Sequence, residues 1–149
     1  MKMSFRWFGT ADDPIPLSYV RQIPGVSQVV ASLYDVPVGQ AWPVDGIAAV
    51  KAEIEAVGLG MDVIESVNVH DDVKIGRPTR DRYIDNYITT IKRLGEAGVK
   101  VICYNFMPVF DWMRTELRHP LGDGSFAMAY DEALMGTTLE ETVRRMADA

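Results

Sequence analysis

A chain of 149 residues, 48% hydrophobic and 24% charged, has the make-up of one ordinary globular domain or part of a larger one. Fifteen basic against 21 acidic side chains leave a net charge of −6. With no Lys/Arg stripe to neutralise phosphates, nucleic acid is disfavoured as the main partner, and none is expected. A single cysteine rules out an internal disulfide framework and fits a reducing compartment. No stretch approaches membrane-spanning length and the N-terminal MKMSFRWFG holds no signal-peptide core, so a cytoplasmic chain without membrane contact is expected.

Residues 3–8 (MSFRWF) alternate Ser4, Arg6 and Phe8 with Met3, Phe5 and Trp7, which predicts a short strand ended by Gly9. Asp-Asp-Pro and a second proline make 11–16 a turn. Leu17, Val20 and Ile23 share a helical face, stopped by Pro24-Gly25. Residues 26–33 (VSQVVASL) form a second strand whose tip carries Tyr34 and Asp35. A loop over 36–43 holds Trp42. Asp45 then reads as the N-cap of a helix with Ile47, Val50, Ile54 and Val57 on one stripe, closed by Gly58. Residues 61–67 (MDVIESV) make a third strand, ending at Glu65 and Ser66 with His70 shortly beyond. Thr79 caps the longest helix, marked by Tyr83, Tyr87, Ile91 and Leu94, and Gly98 closes it. The fourth strand is the apolar run 99–104, with Asn105 at its end and Phe106, Met107 and Pro108 following. Beyond Trp112 the alternation dissolves. Residues 114–125 read as turn-rich and 126–130 as a short extended piece. Thr137 with Glu140, or Thr138 with Glu141, offers a capping box for a last helix.

Four strand–helix alternations at the spacing of βαβ crossovers predict an α/β fold with a parallel sheet. A closed (β/α)8 TIM barrel usually needs about 250 residues. The chain therefore reads as the N-terminal portion of a single TIM-barrel domain. Residues 1–112 supply the first four strands and their helices, and 113–149 an irregular insertion and terminal helix. Completion by another chain is one alternative. A small doubly wound sheet is the other, but it lacks a glycine-rich phosphate loop.

Strand tips are where such barrels carry chemistry, which singles out seven side chains. The Asn105 amide both donates and accepts, which suits a polyhydroxylated ligand, although it can also satisfy nearby backbone. Glu65 and Ser66 stand at the equivalent point one strand earlier. Their competing reading is an exposed or salt-bridged pair. His70 is a hydrogen-bonding or proton-carrying candidate on the loop, or an ordinary surface histidine. Arg6 is able to meet a substrate carboxylate or to pair with an acid of the chain. Trp7 is expected as an apolar wall and Tyr34 at the second tip beside it. Cys103 reads as a small buried hydrophobe. His119, in a polar turn, reads as a surface residue. No metal site is expected from these residues.

The blocks MSFRWFG, IPGV, LYDVPVGQAWP, VIESVNVHDDVKIG, RPTRDRYIDNY and GVKVICYNFMPVFDWMRT resemble the N-terminal part of D-mannonate dehydratase over about residues 1–130. The resemblance implies a xylose-isomerase-like barrel that removes water from D-mannonate to give 2-keto-3-deoxy-D-gluconate. It implies β-elimination beside the carboxylate, a divalent manganese or ferrous iron acting as Lewis acid, and a homo-oligomer (dimer) of the full-length form. The family's histidine, cysteine and aspartate metal ligands have no matching positions here. The implied share of this chain is thus the substrate-side wall: Asn105, Glu65, Ser66, His70, Trp7, Tyr34 and Arg6. The alternatives are a non-catalytic half-barrel acting as an assembly unit, or a sugar isomerase or epimerase of the same superfamily.

Overall fold

A computed structural model describes residues 2–107, 114–135, 138, 140, 141 and 144. The chain divides into two compact units, 1–108 and 109–149. In the first, the order is β1 (Met3–Arg6), α1 (Leu17–Val20), β2 (Val26–Ala31), α2 (Val44–Ala56), β3 (Gly60–Asn68), α3 (Asp71–Lys74), α4 (Arg80–Glu96) and β4 (Val101–Asn105). The four strands form one parallel sheet in the order β1-β2-β3-β4.

Successive side chains of a strand point to opposite faces, and the register sorts them. Phe5 pairs with Val29, while Ala31, Ile64 and Ile102 line up across three strands. This face is covered: Val29 and Ile64 are fully buried and pack with Ile47 and Ile54 of α2 and Leu94 of α4. Full burial of one such aliphatic side chain is worth about 1.5–3 kcal/mol, so this layer fixes where the helices sit. The opposite face carries Arg6, Val30, Val63 and Val101 in one row and Glu65 beside Cys103 in the next. It is the open face: Val101 is exposed, and so is Glu65.

Both long helices stop where a glycine takes a positive φ, Gly58 at +78° and Gly98 at +89°, a conformation that costs a side-chain-bearing residue. Lys51 of α2 donates to the Ala97 carbonyl at the end of α4 (2.6 Å), satisfying a carbonyl that α4 leaves without a helical partner.

Several expected boundaries move. Asp45 is not the N-cap of α2. Pro43 holds that position in extended geometry, and Asp45 lies in the first turn, near the positive end of the helix dipole. Thr79 does precede α4, but its hydroxyl donates to the Asp72 carboxylate rather than capping the helix. β1 is shorter than expected, although the Trp7 N–H still bonds the Val30 carbonyl (3.0 Å). β3 runs on to Asn68, so Glu65 and Ser66 lie within the strand rather than at its end. The four-residue α3 is too brief to leave a periodic pattern.

In the second unit, the segment read as turn-rich holds a strand. β5 (Glu116–Pro120) pairs antiparallel with β6 (Phe126–Ala129). Asp123 accepts the Ser125 N–H and hydroxyl to shape the turn, and the Arg118 guanidinium lies 4.7 Å from the centre of the Phe126 ring. Of the two capping pairs, Thr138 accepts the Glu141 N–H (3.1 Å). Thr137 and most of the expected last helix lie outside the described residues. Among the described residues no helix is long and apolar enough to cross a membrane.

Candidate functional site

Two places gather polar or concave surface, one on each side of the sheet. Behind it, α4 presents three polar side chains one helical face apart to the 36–43 loop. Asn86 donates to the Gly39 carbonyl (2.8 Å) and Arg93 to the Trp42 carbonyl (2.6 Å). Between them, Thr90 accepts the Trp42 N–H (3.1 Å) while donating to the Asn86 carbonyl (3.0 Å). Thr90 is 0% exposed, so its hydroxyl is needed to satisfy a buried backbone donor. The His70 and Tyr83 rings stack 3.6 Å apart at 8°. A Cβ on Gly39 would come within 2.7 Å of His70 and 2.6 Å of Tyr83, so the loop closes on that stack only with glycine there. Inside lies a cavity of about 640 Å³, walled largely by apolar groups such as Val67, Tyr87, Ile91, Ile102 and Tyr104. Burial pushes the Tyr87 phenol up, and neighbouring Tyr104 adds to it.

On the open face, Arg6 is the hub. One of its terminal nitrogens donates to the Trp7 carbonyl (3.3 Å) and the Val30 carbonyl (3.2 Å), and the other to the Tyr34 hydroxyl (2.6 Å). Its Nε lies 4.0 Å from the Glu65 carboxylate. The Phe8 ring covers the guanidinium at 4.6 Å. Phe8 is held there because Asp13 accepts both its N–H and that of Ile15 (3.0 and 2.9 Å). Burial pushes the Tyr34 phenol up, against the opposing pull of the Arg6 charge and hydrogen bond. Further along the sheet the register shifts between Glu65 and Val67, where the Glu65–Ser66 peptide is cis. In the shifted register Asn68 stands directly against Asn105, on the same face as Glu65 and Cys103. The Ser66 hydroxyl donates to the Asn68 side-chain carbonyl (2.8 Å), which leaves that amide to donate. The Asn105 side-chain carbonyl accepts the Met107 N–H (3.0 Å).

The structure thus brings Arg6, Tyr34 and Glu65 into one cluster and puts Asn105 on the same face. Ser66 and His70 line the cavity behind the sheet instead, and Asn68, bonded to Ser66, reaches that lining too. His70 Nδ1 accepts the Asp72 N–H (3.1 Å) and so caps α3, which engages it in structure. Trp7 is no exposed wall. At 1% exposure it belongs to the core, on the covered side with Phe5, and its indole N–H has no partner among the described residues. Asn68 and Phe8 were not singled out from the sequence. The alternation of Phe8 with Arg6 was the signal for one, and the run VIESVNVH, whose strand continues to Asn68, for the other.

Among the described residues no group of three or more His, Cys, Asp or Glu side chains stands together to hold a metal ion. The His70 Nδ1 is occupied by its cap, and His119 Nδ1 lies 2.9 Å from Glu116 within the hairpin. These donors do not fit a divalent metal centre, which needs several ligands converging on one point.

Comparison with known proteins gives a consistent answer. The chain is 56% identical over 147 residues to mannonate dehydratase of Thermotoga neapolitana, covering 98% of this chain and 41% of that protein. It is 57% identical over 133 residues to mannonate dehydratase of Endomicrobium trichonymphae, covering 89% of this chain and 36% of that protein. The fold is similar to the crystal structure of mannonate dehydratase from Streptococcus suis serotype 2, with a TM-score of 0.87 and 48% identity over 99% of this chain and 42% of that one. The chain therefore spans about two-fifths of the length of these relatives. The family model described as D-mannonate dehydratase (UxuA) matches residues 1–149. An α/β unit with four parallel strands, alike in sequence and in shape to these proteins, belongs to the D-mannonate dehydratase family.

Proposed function

We propose that this chain forms the substrate-side wall of a hydro-lyase that converts D-mannonate to 2-keto-3-deoxy-D-gluconate in the cytoplasm. Its four β/α units are about the first half of a (β/α)8 barrel, and the open face of the sheet is the inside of that barrel. The observation that carries the reading is the row of Arg6, Tyr34, Glu65, Asn68 and Asn105 along the C-terminal ends of parallel strands, on the face opposite the helices. In barrels that is the catalytic end. Hydroxyl, carboxylate and amide groups in one row match a polyhydroxylated acid, whose hydroxyls need donors and acceptors in alternation. By holding the sugar acid extended along the row, these groups fix the carbon that loses its proton and the carbon that loses hydroxide relative to the rest of the enzyme.

The manganese or ferrous iron of the family takes its ligands outside the described residues, and the full-length form is a homodimer. The test is turnover by the protein made from its whole open reading frame. D-mannonate with added Mn²⁺ yields the 2-keto-3-deoxy acid. Inert D-mannonate together with isomerised or epimerised sugars would overturn the reading.

A further inference from the structure

The sequence offers Arg6 as a partner for the substrate carboxylate or for an acid of the chain, and its surroundings favour the second. Bidentate recognition needs two parallel N–H groups of one guanidinium left unspent. Here one terminal nitrogen serves two backbone carbonyls, the other gives one N–H to Tyr34, Nε lies at ion-pair distance (4.0 Å) from the Glu65 carboxylate, and the Phe8 ring closes over the plane, so three of the five N–H groups are spent and the rest face Glu65's charge. The Arg6 side chain is 27% exposed, whereas that of Glu65 is 55% exposed. The cation is therefore the inner member of the cluster, and its two partners are the outer ones.

We propose that Arg6 is a positioning residue that sets the Tyr34 hydroxyl as a hydrogen-bond donor and the Glu65 carboxylate as an acceptor, side by side, for one stretch of the sugar acid. The polarity follows from chemistry. A guanidinium only donates, so the Tyr34 oxygen must accept from it, and the phenolic proton is directed elsewhere. That proton meets an oxygen acceptor of the ligand, and Glu65 takes a ligand hydroxyl. Burial of Tyr34 raises its phenol, which keeps the proton in place at neutral pH. The assignment rests on the sugar-acid reading above, but the geometry of the cluster does not depend on it.

Two readouts on the whole-frame protein test the assignment separately. The first is the ¹³Cζ resonance of Tyr34, identified by its loss in Tyr34→Phe and followed over pH. Arg6→Met moves its ionisation further upward, since the charge and the hydrogen bond that favour the phenolate are both gone, and Arg6→Lys recovers part of that shift. An unmoved titration in Arg6→Met overturns the proposal whatever the enzyme does. The second is kinetics with D-mannonate. Tyr34→Phe and Arg6→Met each raise KM about tenfold, the size of one net hydrogen bond, and the double variant raises it no further. Effects that multiply, together with an Arg6→Met loss that vanishes for the uncharged D-mannonamide as competitor, would mean that Arg6 grips the carboxylate itself. Absence of wild-type turnover sinks the function and leaves the resonance to decide the role of Arg6.

Discussion

The two faces of the parallel sheet are built from the same strands and have opposite character. The covered face presents Val29, Ala31, Ile64 and Trp7, all 1% exposed or less, packed against α2 and α4. The open face presents Arg6, Glu65, Asn68 and Asn105, linked by hydrogen bonds and ion pairs to their neighbours. Period-two alternation produces this split. In β1, Phe5 packs against the core while Arg6, on the other face, holds Tyr34 and faces Glu65. Truncation should therefore cost folding energy on one face and ligand recognition on the other.

The largest expected effect lies on the covered face. Trp7→Ala empties a fully buried site and should cost about 3–5 kcal/mol, read as a fall in the denaturation midpoint. A cost under 1 kcal/mol would remove Trp7 from the core. Next is Thr90→Val, which keeps the shape but strips the buried Trp42 N–H of its acceptor. A loss of about 1–3 kcal/mol is expected, together with faster hydrogen exchange in the 36–43 loop. An unchanged loop would break the claim that α4 latches it.

The smallest effect belongs to an exposed cluster at the other end of the sheet. Lys2 (2.7 Å) and Lys100 (3.1 Å) both donate to the Asp62 carboxylate and hold its pKa below the ordinary 3.8. A carboxylate with a lowered folded value stabilises the fold above its unfolded pKa, and that contribution is lost as the pH falls through the folded value. Wild type minus Asp62→Asn should therefore show a small stability difference that is flat above about pH 5 and declines in stronger acid. A difference that grows on acidification would reverse the assignment.

Much of this was readable from residue order. The apolar runs gave the four strands, and the Ile47/Ile54 stripe and Leu94 gave the helix faces that pack on them. The strand tips pointed to Tyr34 and Asn105, and to Glu65 although that residue lies inside β3. Trp7 was already separated from Arg6 by alternation, but a strand with aromatic or apolar groups on both sides does not announce which side the helices cover. Asn68 was hidden by the register shift at Ser66, since a bulge realigns every later residue and leaves no compositional mark. His70 was ambiguous because one imidazole suits a ligand contact and a helix cap alike, and only the stack on Tyr83 and the bond from Asp72 distinguish them. The extended piece at 126–130 was legible and is β6, whereas β5 escaped because Glu116, Arg118 and His119 leave it no clean alternation.

The chain contains three asparagines, Asn68, Asn86 and Asn105, and they sit on both sides of the comparison. Asn105 lies on the open face, Asn68 pairs with it in the register but also lines the cavity, and Asn86 holds the Gly39 carbonyl behind the sheet. Titration of asparagine-¹⁵N-labelled protein with D-mannonate reads all three side-chain amides at once. Binding along the open face shifts and saturates the Asn105 resonance, with Asn68 moving alongside it, and leaves Asn86 in place. Movement of Asn68 with Asn105 still would put the sugar acid in the cavity, which Asn68 lines and Asn105 does not, and contradict the assignment of the open face.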